Sequence, residues 1–295
     1  MSTVPPVSVP RAGVLRRGAV ALVLGASVLA GCQTVDEKPE PIRDLRGAEP
    51  RRDAPSSLSP PSSGAVSGGE SEQRRRASIR LELATGYYQQ GNYAQALEEL
   101  RAAVATDPSF APAYGLYGLV YMDMKDLPRA EENFQRALRL TPDDSDLLNN
   151  YGWFLCQSGR PRESIAQFQA ALRNPLYATP ARPMHNAGIC SMRAGDERAA
   201  EGWFDQSFRV DPRNPVAMYN LAEIYLKRGD IERARFHSQR LLSSYPPSAE
   251  TLWLGIRVDR RAGDRDSVAS LSAQLRRQFP SSREANLLQR GAFGD

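Results

Sequence analysis

The feature that most constrains this chain is a fixed spacing. Pro108 and Pro142 lie 34 residues apart, as do Pro212 and Pro246, and Pro246 and Pro280. The step from Pro142 to Pro212 is 70 residues, two periods plus two, and the surplus falls in the proline-bearing run Asn174-Pro175-Leu176-Tyr177-Ala178-Thr179-Pro180. Small and aromatic residues hold the same phase: Ala96, Ala130, Ala200 and Ala234, with Phe134, Phe168 and Phe204. A unit of this length cannot bury its own apolar face, so successive units must stack to form a continuous core.

The composition of each unit predicts two antiparallel helices. Gly118, Gly152 and Gly188 let the helices approach closely, and Tyr117, Phe134, Phe168 and Phe204 fill the space between them. Gly91, Gly159, Gly195, Gly229 and Gly263 fall at the turn after the first helix, where a left-handed residue is needed. Prolines at 108, 142, 212, 246 and 280 end the second helix, because they lack an amide donor and restrict the residue before them. A 34-residue period with these positions resembles the tetratricopeptide repeat. The expected fold is all-α, a right-handed superhelical solenoid of about six helix-turn-helix units: 77–110, 111–144, 145–180, 181–214, 215–248 and 249–282. The sixth is the weakest match, as a terminal capping unit is. The tail 283–295 carries no signal.

The amino terminus reads differently. Arg11, Arg16 and Arg17 precede an apolar run from Gly18 to Leu29, which ends in Leu29-Ala30-Gly31-Cys32. The run is too short to span a bilayer and reads as a secretory signal peptide, residues 1–31. Leu-Ala-Gly-Cys resembles the lipobox of bacterial lipoproteins, which implies lipidation at Cys32. Acyl chains contribute about 0.8 kcal/mol per buried methylene, and several on one residue anchor a protein without a membrane helix. Gln33 is not the aspartate that retains such proteins at the inner membrane, so the resemblance implies the outer membrane, facing the periplasm.

Residues 32–76 are rich in proline, serine, glycine and arginine and poor in large apolar side chains. Such a segment cannot offset its ordering entropy, and the expectation is a disordered tether. At roughly 35–40 Å end to end, it lets a folded domain stand off the membrane.

Cys156 and Cys190 fall in the first helices of adjacent units. In an oxidising compartment they either form a disulfide, which requires Cα atoms near 5.5–6 Å, or remain two buried thiols. Catalytic groupings are absent from the pattern. His185 and His237 are the only histidines and neither sits at metal-ligand spacing. No phosphate-cradling glycine loop follows a strand, and no nucleophile is placed beside a base. The net charge of +4 is spread along the chain and gives no nucleic-acid signature. The reading is a binding protein with no enzyme activity, metal, cofactor, nucleic acid or small-molecule substrate.

A groove lined by first helices is the expected binding surface. Asn150, Asn186 and Asn220 occupy the sixth position of units three, four and five. Their amides can pair with the backbone of an extended peptide, or they serve the fold. Tyr88, Leu119, Met122, Trp153, His185, Met192 and Tyr219 are expected beside them, by a docked partner or in packing between units.

The run Asn149-Asn150-Tyr151-Gly152-Trp153-Phe154-Leu155-Cys156 is more specific than the generic repeat, as are Asn174-Pro175-Leu176-Tyr177 and Asn186-Ala187-Gly188-Ile189-Cys190. With the lipobox and the number of units, these are similar to the type IV pilus biogenesis/stability proteins of the PilF/PilW family. The long tether departs from the usual pattern. The resemblance implies an outer-membrane pilotin that binds secretin subunits, promotes their localisation and multimerisation, and uses the anchor-proximal units one to three. Related lipoproteins that scaffold outer-membrane barrel assembly or regulate peptidoglycan enzymes are the alternatives.

Overall fold

The structure, a computed structural model, describes residues 71–293. Cys32, the signal sequence and most of the tether lie outside the described residues. Among those described there are thirteen helices and no strand. They form six hairpins: α1 (Glu72–Gln89) with α2 (Tyr93–Thr106), α3 (Ala111–Asp123) with α4 (Leu127–Leu140), α5 (Ser145–Gln157) with α6 (Pro161–Ala171), α7 (Ala181–Arg193) with α8 (Glu197–Val210), α9 (Pro215–Arg228) with α10 (Ile231–Ser244), and α11 (Ala249–Ala262) with α12 (Arg265–Gln278). A short α13 (Arg283–Gln289) follows. This is a tetratricopeptide-repeat solenoid.

The hairpins of units two, three and four each close over a glycine. A Cβ on Gly118 would lie 2.8 Å from the Phe134 ring, and one on Gly188 would lie 2.6 Å from the Phe204 ring. Both phenylalanines are fully buried. The small residue and the ring therefore set the distance between the two helices of a unit. The turn glycines 91, 159, 195, 229 and 263 all take positive φ, from 75° to 86°. Unit two has no glycine there, and Lys125 takes the left-handed conformation at φ 63°.

The two-residue surplus becomes a loop. Asn174 accepts the Leu176 amide through Oδ1 at 2.9 Å, and the Tyr177 hydroxyl donates to Asp146 Oδ1 at 2.9 Å, tying the loop back to the start of α5. Leu176 is left 89% exposed.

One boundary is corrected. The tether was expected to run to 76, yet α1 begins at Glu72, capped by the Ser71 hydroxyl, which accepts the Arg74 amide at 3.1 Å. Arg74 is ion-paired with Asp107 and lies over the Phe110 ring, 5.1 Å from its centroid, so this first turn packs on the following loop. Periodicity missed it because the turn is polar. The tail 283–295 carries no signal in the sequence; in the structure α13 buries Ala285 and Leu288 against the last hairpin, and Phe293 stacks on Trp253 with ring centroids 5.4 Å apart. A helix of seven residues is too short to show a period.

Candidate functional site: an open first unit and a basic cleft

The residues expected to line the groove are mostly interior. Tyr88, Leu119, Met122, Trp153 and Tyr219 belong to the main core, each under 10% exposed. Asn149 and Asn150 are buried, while Asn186 and Asn220 are half-buried. Asn186 Nδ2 donates to Asn149 Oδ1 at 3.0 Å, and Asn149 Nδ2 donates to Asn150 Oδ1 at 3.3 Å, so an amide chain crosses from α7 to α5. Asn220 Nδ2 donates to the Val216 carbonyl of its own helix at 2.8 Å. Asn149 and Asn150 are buried where α5 stacks on its neighbours, so their amides depend on protein partners.

His185 is likewise part of the fold. Although the residue keeps some surface in water, its ring is enclosed, and burial followed by the Arg182 guanidinium pushes its pKa down to about 3. The neutral ring accepts at Nδ1 from Asn214 Nδ2 at 2.9 Å. Asn214 Oδ1 accepts the Ala217 amide, which fixes the orientation of the Asn214 amide, and Asn214 Nδ2 also donates to Ser207 Oγ at 3.1 Å. One asparagine thus caps α9 and links it to α7 and α8.

Cys156 and Cys190 are bonded, with Cα atoms 5.8 Å apart, and the bridge joins α5 to α7. Beside it, the Arg193 guanidinium lies 5.5 Å from the Trp153 ring centroid, and Arg193 Nη1 donates to Gln157 Oε1 at 2.7 Å. The seam between units three and four is therefore closed by a covalent bond, an amide chain and a stacked arginine.

Two surfaces remain open. The first is the outer face of unit one. Ile79 and Leu83 stand at the third and seventh positions of their unit and are 53% and 46% exposed. The equivalent residues of unit three, Leu147 and Tyr151, are 2% and 9% exposed because the preceding hairpin covers them: Leu147 lies on Gly115 of α3, and Tyr151 packs 6.0 Å from Phe134 of α4. Ala217 and Leu221 of unit five are fully buried at the same positions. No described helix precedes α1. The other end of the array is closed by α13.

The second surface is a cleft of about 620 Å³ in units four to six, where α7 and α9 pack less closely than the other neighbouring first helices. Met192, Ile224, Leu226 and Phe293 supply its apolar lining. Met192, one of the expected groove residues, lines it at 40% exposure. Glu223 is held by Arg257, whose Nη1 lies 2.7 and 2.9 Å from the two carboxylate oxygens, and Glu197 is paired with Lys227. The Arg260 guanidinium covers the Phe293 ring at 3.8 Å from its centroid. The sequence signal was present. Arg257, Arg260 and Arg261 fall at i, i+3 and i+4 on one face of the last first helix, in the register that Glu223 and Lys227 occupy one unit earlier.

Among the described residues no helix is long and apolar enough to cross a membrane, and no three side chains form a metal-binding cluster. Two tetratricopeptide repeat family models match, one at residues 81–145 and 118–183 and the other at 203–236. The chain is 32% identical over 213 residues to the type IV pilus assembly protein PilF of Pseudomonas aeruginosa, covering 72% of this chain and 84% of that protein. Among solved structures, PilW, described as a widely conserved type IV pilus biogenesis factor, is 32% identical with a TM-score of 0.66 over 72% of this chain and 98% of the other. The structure of P. aeruginosa PilF is 29% identical with a TM-score of 0.69, covering 75% of this chain and all of the other.

Proposed function

Because the chain belongs to the PilF/PilW family of type IV pilus biogenesis proteins, we propose that it is an outer-membrane lipoprotein that binds secretin subunits and promotes their localisation and multimerisation. In this reading Cys32 carries the acyl chains, the proline- and serine-rich segment is the leash, and the repeat array grips the partner. No covalent chemistry is required of it.

The observation that carries the reading is the open face of unit one. Ile79 and Leu83 present large apolar side chains to solvent at positions that later units bury. Covering both removes apolar surface from water, at about 25 cal/mol per Å². In the sequence, unit one is also the repeat that follows the Cys32-bearing segment.

The test is a gene deletion complemented with wild type, Cys32→Ala or the pair Ile79→Ser and Leu83→Ser. The deletion is expected to abolish twitching and leave the secretin as monomers, and both variants are expected to restore multimers incompletely. The serine pair should keep wild-type helicity, since both residues are exposed. Normal secretin multimers in the deletion strain would overturn the role, and full rescue by the serine pair would overturn the assignment of the face.

A further inference from the structure

From the way the segment after α13 lies on α11, we infer that Trp253 and Arg260 form a seat for an aromatic side chain, held by this chain's own Phe293 and taken over by an aromatic side chain of a partner polypeptide. The inference goes beyond secretin docking at unit one and does not depend on it. The Phe293 ring stacks on Trp253 with ring planes 15° apart and centroids 5.4 Å apart. The Arg260 guanidinium lies over the same ring, 3.8 Å from its centroid. Ring stacking and a cation over a ring face are contacts that any aromatic side chain can make and an aliphatic one forfeits.

The ring is placed by a turn. α13 stops at Gly291, which takes φ 64°, and the Gly291 and Ala292 amides donate to the Leu288 and Leu287 carbonyls at 3.2 and 3.0 Å. This is the Schellman arrangement that ends a helix. Ala285 and Leu288 anchor α13 in the last hairpin, upstream of the turn. Rotation about Gly291 and Ala292 therefore frees the ring while the helix stays docked. Phe293 keeps part of its surface in water, whereas Trp253 is 5% exposed. The seat belongs to the array, and its occupant hangs on a short segment.

The surroundings define what can replace Phe293. The ring lines the cleft of about 620 Å³ together with Met192, Ile224 and Leu226 of α7 and α9. A segment whose ring takes the seat enters that cleft, and an aliphatic side chain beside the ring meets the exposed Met192 thioether. The occupant is a polypeptide with an aromatic residue next to an aliphatic one. Phe293 competes with it and reduces its apparent affinity in proportion to the fraction of molecules whose seat is empty.

The probe is a fluorescent glycine–serine peptide carrying a phenylalanine next to a leucine, compared with a version in which alanine replaces the phenylalanine. Fluorescence anisotropy is measured with the purified full chain and with its Phe293→Ala variant. The phenylalanine peptide is expected to bind the variant about fivefold tighter than wild type, and the alanine peptide should show no such gain. Arg260→Ala, added to Phe293→Ala, should take back most of the gain. Arg162→Ala with Arg198→Ala, exposed residues of α6 and α8 outside the cleft, should not. Ile79→Ser with Leu83→Ser should leave binding unchanged, which separates this seat from the open face of unit one. Helicity and melting temperature are followed in parallel. Equal binding, or none, by wild type and Phe293→Ala, an equal gain for the alanine peptide, or a gain that survives Arg260→Ala would overturn the proposal. So would a Phe293→Ala protein that melts earlier and gains no affinity, because Phe293 would then be a packing residue alone.

Discussion

Asn186 donates from Nδ2 to Asn149 Oδ1 at 3.0 Å, across the boundary between the third and fourth hairpins. Asn149 is 1% exposed, so its amide has little access to water and depends on protein partners. The bond makes this asparagine pair a device for stacking units. Asn149→Ala removes the acceptor for Asn186 and the donor for Asn150 and is expected to cost about 1–3 kcal/mol. Urea unfolding of the variant measures it. An unchanged midpoint would show that the amide chain contributes nothing to the seam.

The Cys156–Cys190 bridge sits at the same seam and closes a loop with a sequence separation of 34 residues. By loop entropy a closure of that size stabilises by about 3–4 kcal/mol. Reduction, or Cys156→Ser with Cys190→Ser, should lower the denaturation midpoint and increase amide exchange first in α5 and α7. Hydrogen exchange resolved by helix would report it. Uniform loosening of the whole array would instead mean that the bridge does not act locally.

Lys125 takes a left-handed conformation, φ 63°, at a turn where five other units have glycine. A side chain in that region costs roughly 1 kcal/mol or more. Lys125→Gly should therefore stabilise the protein by about 1 kcal/mol, less the added entropy of a glycine in the unfolded chain. Thermal melts of the two proteins decide the sign.

His237 is 6% exposed and packed among Phe208, Tyr225 and Phe236, with ring centroids 4.9, 5.7 and 5.0 Å away. Burial is the main cause that pushes its pKa from 6.5 down to about 4. Asp205 opposes the shift, and Arg233 and Arg240 add to it. The folded state holds the neutral ring, while the unfolded chain takes up a proton below about 6.5. The stability it contributes is therefore present above that pH and lost as pH falls from 6.5 towards 4. His185 acts in the same direction, with its pKa pushed to about 3. His237→Phe should flatten the acid limb of a stability profile and leave stability near neutrality unchanged or higher, since it also removes a buried Nδ1 that has no hydrogen-bond partner. An acid limb identical to wild type would remove His237 from the account.

The sequence by itself determined the architecture. A 34-residue period needs only local rules, a small residue opposite a ring, a glycine at the turn and a proline after the second helix, and those rules act within one hairpin. It was enough to place Gly188 against Phe204 and to put Cys156 and Cys190 on adjacent helices. What only the tertiary structure decided is which side chains of a first helix face water. That depends on how closely one unit packs on the next, and the sequence carries no direct measure of that distance. Close packing turned Asn149, Asn150 and Trp153 inward. Looser packing between α7 and α9 opened a cleft around Met192. The ends of the array depend on what is missing: Ile79 and Leu83 look like core positions in the repeat and are exposed because no described helix stacks on them. Phe293 lies beyond the last repeat and belongs to the site because it stacks on Trp253 and under Arg260 of α11.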